Sequence, residues 1–270
     1  MFFSLRGGSV DFYDLLQNHA ALFLLVMTRV SGLFIIAPFW GSQNIPMYFR
    51  AGLAFVISLV LFPVLDQRMA AEAPASIPGY TLAVLSELFI GWLIGFVAYT
   101  ALMAINMAGK IMDMQSGFAV VNEMDPTSNQ QNPLIGSFLY YLTLIIFVVT
   151  NGHHVLLEAL AGSFDSVPVL GMQADVSSLA TLMVDFTAGI FLTGMKIAMP
   201  LTFAILLTNV SLGVLARTMP QMNIFVVGIP MQIVIGLFTV GIIMPFYVMF
   251  LDVLFNEMYG NISIALRALQ

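Results

Sequence analysis

Apolar residues fill long stretches of this chain, at 15–38, 49–65, 82–108, 134–150, 182–215 and 226–255, with short polar segments between them. Runs such as LIIFVV and VIGLFTVGIIMPF are apolar on every side. They lack the period-two alternation of a transmembrane barrel strand, so each stretch reads as a helix. A bilayer's hydrocarbon core takes about 20 helical residues. The pattern therefore predicts an all-α polytopic membrane protein of about six long, partly kinked helices arranged as hairpins. Several lengths fit a simple span poorly. At 1.5 Å per residue, 82–108 would reach about 40 Å against a core of about 30 Å. The 182–215 stretch is longer still and carries Asp185, Lys196 and Pro200, whereas 134–150 is short.

The polar interruptions carry most of the information. The segment 109–133, GKIMDMQSGFAVVNEMDPTSNQQNP, gathers three carboxylates, a lysine, three asparagines and three glutamines. Met112, Met114, Phe118 and Met124 are threaded through it. It reads as a long loop, and a structureless loop of that length is more often functional or disordered than idle. The segment 216–237, ARTMPQMNIFVVGIPMQIVIGL, reads as a tight elbow between two long helices. Arg217 suits a helix C-terminus, Pro220 breaks the helix, and Gln221 and Asn223 supply side-chain hydrogen bonds. Gly228 with Pro230 marks an irregular restart. The segments 66–80 and 162–178 read as connections.

Composition settles the solvent. Of 270 residues, 60% are apolar and 8% charged, where a soluble domain carries about 25% charge. Twenty-three phenylalanines and nineteen methionines belong in lipid or in an apolar assembly. The absence of cysteine excludes disulfides and thiolate metal sites. A net charge of −6, with no run of cations, gives no support to nucleic-acid binding. Asp11 and Asp14 stand where a signal peptide's apolar core would begin, so no cleaved signal is expected. Loop cations divide evenly, Arg6, Arg68 and Arg267 against Arg50, Lys110 and Arg217, so the positive-inside rule does not fix an orientation. That balance is unusual for a plain spanning bundle.

Catalytic readings fail on their motifs. Ser116 follows Met114-Gln115 and lacks the first glycine of a rhomboid-type site, and Asp185 and Asp252 lack the setting of an intramembrane aspartyl protease. His154 and Glu158 lie one helical turn apart, but without a third ligand they read as a solvated helix start after Asn151-Gly152. No glycine-rich loop precedes a helix to hold a phosphate. What remains is ionisable residues in apolar surroundings: Arg29, Glu87, Asp185, Lys196 and Asp252. Such residues signal function or a polar partner. They suit a proton-coupled secondary transporter working through Glu87 or Asp185, a subunit whose charges meet neighbouring chains, or structural ion pairs. Gly91 and Gly95, continued by Ala98, Ala101, Ala104 and Ala108, permit close helix approach within the chain or between subunits.

The elbow sequence resembles the signature of FliR, the flagellar type III export-gate family, and of its injectisome counterparts. Further matches follow in the family's order: RVSGLFIIAPFWGSQNIP at 29–46, DMQSGF at 113–118, DPTSNQQNPL at 125–134 and NGHHVLLEALAGSF at 151–164. Together they cover nearly the whole chain. The resemblance implies a subunit of the bacterial inner membrane and flagellar basal body that is no enzyme and needs no cofactor. It implies partnership with several copies of FliP and FliQ in a helical, conical gate, FlhB wrapping the entrance, and unfolded export substrates passing through the middle. It further implies a FliP-like helical unit over 1–181 joined to a FliQ-like hairpin and C-terminal tail over 182–270, turning at 217–223 and closing the ring. Family members sit largely above the plane of the membrane, which accounts for the odd helix lengths. The 109–133 loop is expected to help plug the channel through Met112, Asp113, Met114, Gln115, Gly117 and Phe118. Arg29, Glu87, Asp185 and Lys196 are expected to serve as intersubunit charges.

Overall fold

The computed structural model describes residues 12–41, 45–66, 73–74, 76–118, 133–173, 175–221 and 223–270. Seven helices occupy them: α1 Phe12–Ile36, α2 Met47–Asp66, α3 Ile77–Gln115, α4 Leu134–Val149, α5 Gly152–Ser166, α6 Val176–Thr218 and α7 Ile224–Arg267. Among the described residues five helices are long and apolar enough to cross a membrane, and six if the broken pair α4–α5 is one span. The all-helical, multi-pass expectation is met.

The short 134–150 stretch is explained by that break. Thr150 ends α4, Asn151 takes a left-handed φ of 58°, and α5 starts at Gly152. Asparagine is one of the few side chains that enter this conformation readily. His154 and Glu158 fall on the exposed side of α5, and no group of three metal-binding side chains occurs among the described residues.

Lengths exceed the expectation. Helix α3 has 39 residues, α6 has 43 and α7 has 44. At 1.5 Å per residue they extend roughly 60–65 Å, about twice a hydrocarbon core of about 30 Å. Pro200 lies inside α6, and Pro230 and Pro245 lie inside α7. Helix α6 opens on a local cap. The Asp175 carboxylate accepts the Ser177 and Ser178 hydroxyls, each at 2.7 Å, and both backbone N–H groups. Those bonds hold the exposed carboxyl down at a pKa of about 2. An unfolded aspartate titrates near 3.9, so the depressed value makes the cap complete above pH about 4. Its contribution is lost as the pH falls through about 2. Amide exchange at 177–179 is therefore expected to stay flat from pH 5 to 8, once corrected for intrinsic rate. Asp175→Ala should speed it at every pH in that range.

The chain folds as two compact units. The first comprises Met1–Phe96, Leu156–Leu179 and Ile262–Gln270; the second comprises Val97–Val155 and Ala180–Asn261. Helices α3, α5, α6 and α7 each contribute to both units.

In the first unit α1 packs on α2 through edge-on rings, Phe23 against Phe55 and Phe62. It meets α3 through glycines instead. A Cβ on Gly91 would collide with the Arg29 carbonyl, and one on Gly32 would come within 2.5 Å of the Leu88 carbonyl. A Cβ on Gly95 would lie 3.1 Å from the Leu33 carbonyl. The Gly91/Gly95 pair thus serves packing within the chain. Only glycine allows backbones this close.

In the second unit Gly109 of α3 touches Gly136 of α4, and a Cβ on Gly194 of α6 would lie 3.0 Å from the Ala104 carbonyl. Ala98, Ala101, Ala104 and Ala108 are all buried. The Thr143 and Tyr247 hydroxyls meet at 2.6 Å, and Phe147 packs edge-on against Phe255.

Candidate functional site

Three clusters hold the residues that the sequence singles out. The first is the end of α3. A loop is expected from Gly109, but 109–115 continue the helix to Gln115. Two physical causes override the polar pattern. Gly109 is consumed in the contact with Gly136, and the Asp113 carboxylate finds donors on another helix. The Ile135 and Gly136 N–H groups donate to its two oxygens, each at 2.9 Å. Helix α4 begins behind Pro133, whose side chain supplies no capping bond, so Asp113 satisfies amides that would otherwise be orphaned.

Met112 and Asp113 are consequently buried, whereas Met114 is 72% exposed and Gln115 also faces outward. Ser116 and Gly117 form the turn that ends α3. Ser116, which sequence reasoning weighs only as a nucleophile, is fully buried and returns its hydroxyl to the Met112 carbonyl at 2.7 Å. A Cβ on Gly236 of α7 would lie 2.9 Å from the Ser116 Cβ. Gly117 has φ 80°, a left-handed conformation that suits glycine after a helix. A Cβ there would lie 3.3 Å from Gln232 Oε1 and 3.6 Å from Ile229. Gln232 in turn donates to Asn209 of α6 at 2.6 Å. Phe118 follows, half-buried. The remainder of the expected loop, with Met124 and the 125–132 match, lies outside the described residues.

The elbow is the second cluster. Helix α6 ends at Thr218 with Arg217 in its last turn, and α7 starts at Ile224. Arg217, Pro220, Gln221 and Asn223 are exposed, and the Asn223 carbonyl accepts the N–H groups of Val226 and Val227. The irregular restart expected at Gly228 and Pro230 is not found, since both lie inside α7. Pro230 is the seventh residue of the helix and removes only the bond to the Val226 carbonyl, which the rest of a 44-residue helix tolerates. Reversing the charge in Arg217→Glu opposes the helix dipole by about 0.3–1 kcal/mol. Arg217→Glu and Pro220→Leu are both expected to insert normally in the membrane and to lower swimming on soft agar. Parental swimming in both would remove the elbow's role.

The charges form the third. Arg29 and Glu87, expected to meet neighbouring chains, pair with each other inside the first unit and are fully buried. The Arg29 Nε–H donates to Glu87 Oε2, and its Nη1 donates to the Val167 carbonyl at 2.9 Å and the Ser163 hydroxyl at 3.2 Å. The guanidinium carbon sits 4.1 Å over the Phe164 ring. The Leu170 N–H reaches the other Glu87 oxygen at 3.4 Å. No local pattern links residues this far apart in sequence. The only hint is that Ser163 and Phe164 close the NGHHVLLEALAGSF match. Asp185, Lys196 and Asp252 are exposed on α6 and α7.

Long apolar helices, a clamped helix end and a hairpin elbow define a polytopic helical membrane protein with no assembled catalytic group among the described residues. The sequence profile of the "Bacterial export proteins, family 1" matches residues 20–258. The flagellar biosynthetic protein FliR of Bacillus subtilis (strain 168) is 33% identical over 217 residues, 79% of this chain and 82% of that protein. FliR of Escherichia coli (strain K12) is 31% identical over 245 residues, 90% and 91% of the two chains. FliR of Caulobacter vibrioides is 29% identical over 213 residues, 79% and 84%. The chain belongs to this family of bacterial export proteins, among the FliR flagellar biosynthetic proteins.

Proposed function

We propose that this chain is a subunit of the flagellar type III export gate of the bacterial inner membrane, at the centre of the basal body. It closes a ring built with FliP and FliQ homologues, with an FlhB homologue at the entrance, and it passes unfolded substrates without performing catalysis. In this reading 1–181 supply a FliP-like unit and 182–270 a FliQ-like hairpin and tail, and the 109–133 segment, through Met112, Asp113, Met114, Gln115, Gly117 and Phe118, helps to plug the resting channel.

The observation that carries the proposal is the α6–α7 hairpin. Two helices of 43 and 44 residues are about twice as long as a bilayer requires, and both expose large apolar side chains along most of their length. Phe191, Phe203 and Val210 on α6, with Phe238, Phe246 and Val253 on α7, are each at least 60% exposed. Lipid can cover only about half of such a length, so the remainder calls for neighbouring helices. The transporter alternative loses its first proton site, because Glu87 is committed to Arg29.

Expression alone and with FliP and FliQ homologues, followed by mild detergent extraction, tests the proposal. The gate reading expects heterogeneous material alone and one defined complex with the partners. A homogeneous monomer that captures neither would overturn it and restore the transporter.

A further inference from the structure

We propose that Asp113 is the positioning residue of the plug: by capping α4 from the end of α3, it holds Ser116 and Gly117 seated on α7, directly before Phe118. The geometry is that of a clamp. Both carboxylate oxygens of Asp113 accept backbone N–H groups of α4, and the Gly109–Gly136 contact brings the helices close enough for them to do so. Ser116 stands one turn further on, buried against Gly236, and Gly117 lies against Ile229 and Gln232. Among the described residues the seat has no charged bond of its own, and the Ser116 hydroxyl bonds within its own turn. The last turn of α3 therefore keeps its place because Asp113, three residues earlier, fixes it to α4. Without that carboxylate two buried amides lose their acceptors, and fraying the turn lets water reach them. The effect on leakage rests on the plug reading above; the anchoring itself does not.

The chain contains no cysteine, so a single introduced thiol reports local opening. Ser116→Cys is nearly isosteric and is labelled by a small maleimide in native membranes, in the parent, Asp113→Ala and Asp113→Asn backgrounds. Met114→Cys, at an exposed position, is the accessible control in each. The expected result is slow labelling at 116 in the parent and labelling at least about tenfold faster with Asp113→Ala. Asp113→Asn should fall between, since its amide keeps one acceptor and turns a donor toward the second N–H. Labelling at 114 should not change. Asn also serves where Ala fails to insert, because it preserves shape.

Membrane leakage to small ions is measured on the same variants beside Phe118→Ala. Exposure of 116 together with a leak supports the proposal. Continued protection of 116 in both Asp113 variants overturns it. Exposure without a leak, while Phe118→Ala leaks, also overturns it, since the seat would then be dispensable. Exposure with no leak from any variant, Phe118→Ala included, sinks the plug reading and leaves the anchor standing.

Discussion

Glu87→Ala is expected to destabilise the first unit by about 3–5 kcal/mol, because it leaves the Arg29 charge buried without a counter-charge. The stability of a typical domain is only about 5–15 kcal/mol, so a loss of this size removes much of the folded population. Arg29 has no route to water: it is fully buried, and its Nη2 has no acceptor among the described residues. Arg29→Lys should cost nearly as much. A lysine keeps the charge but lacks the planar fork that reaches Glu87, Ser163 and Val167 together and stacks on Phe164. The double change Arg29→Met with Glu87→Leu is expected to recover most of the loss, since apolar side chains of similar volume often replace a buried ion pair at little cost. Thermal unfolding in detergent, read by size-exclusion profile, checks the series. A Glu87→Ala protein as stable as the parent would show that water already reaches the pair.

That pair also shows where sequence reading stops. Apolar periodicity is a local signal: it located α1, α2 and α4 to within a few residues, but it started α6 six residues late, ended α7 twelve residues early and did not separate α5. The elbow at 219–223 is a local break, with Pro220 and Asn223 announcing it. The end of α3 is the opposite case. Gly109, Lys110, Asp113 and Gln115 look like loop residues one by one, yet the helix runs on through all four. Asp113 stays helical because its acceptors meet amides 22 and 23 residues away. Gly109 stays helical because Gly136 needs the space that a side chain would fill. Glu87 likewise looks unpartnered until Arg29 of α1 and the 167–170 segment are folded beside it. In each case a tertiary partner reverses a local preference, and no window of neighbouring residues contains that partner. The same limit applies to Gly91 and Gly95, whose spacing suits a subunit contact equally well until Arg29 and Leu33 are found against them.

The helix at 109–115 changes what each plug variant should do. A mobile loop would tolerate deletion of Ile111–Gln115, but these residues include buried Met112 and the Asp113 clamp. Deletion is therefore expected to prevent assembly; truncating a buried methionine alone costs about 2–5 kcal/mol. Phe118→Ala is the informative change, and it should let a resting gate leak small ions while assembling normally. Phe118 is half-buried and follows the left-handed Gly117, immediately after the seated turn. A channel wide enough for an unfolded chain would dissipate the proton gradient if nothing filled it at rest. A filler that must also yield needs many weak contacts, each about 0.1–0.2 kcal/mol per atom pair, and aromatic and methionine side chains provide them. Met114, exposed one turn before Phe118, is expected to fill only part of the gap. Single-channel conductance of the assembled complex with no substrate engaged, together with growth sensitivity to small solutes, reads the result. Parental conductance in Phe118→Ala, with assembly confirmed, would mean that this segment does not seal the gate.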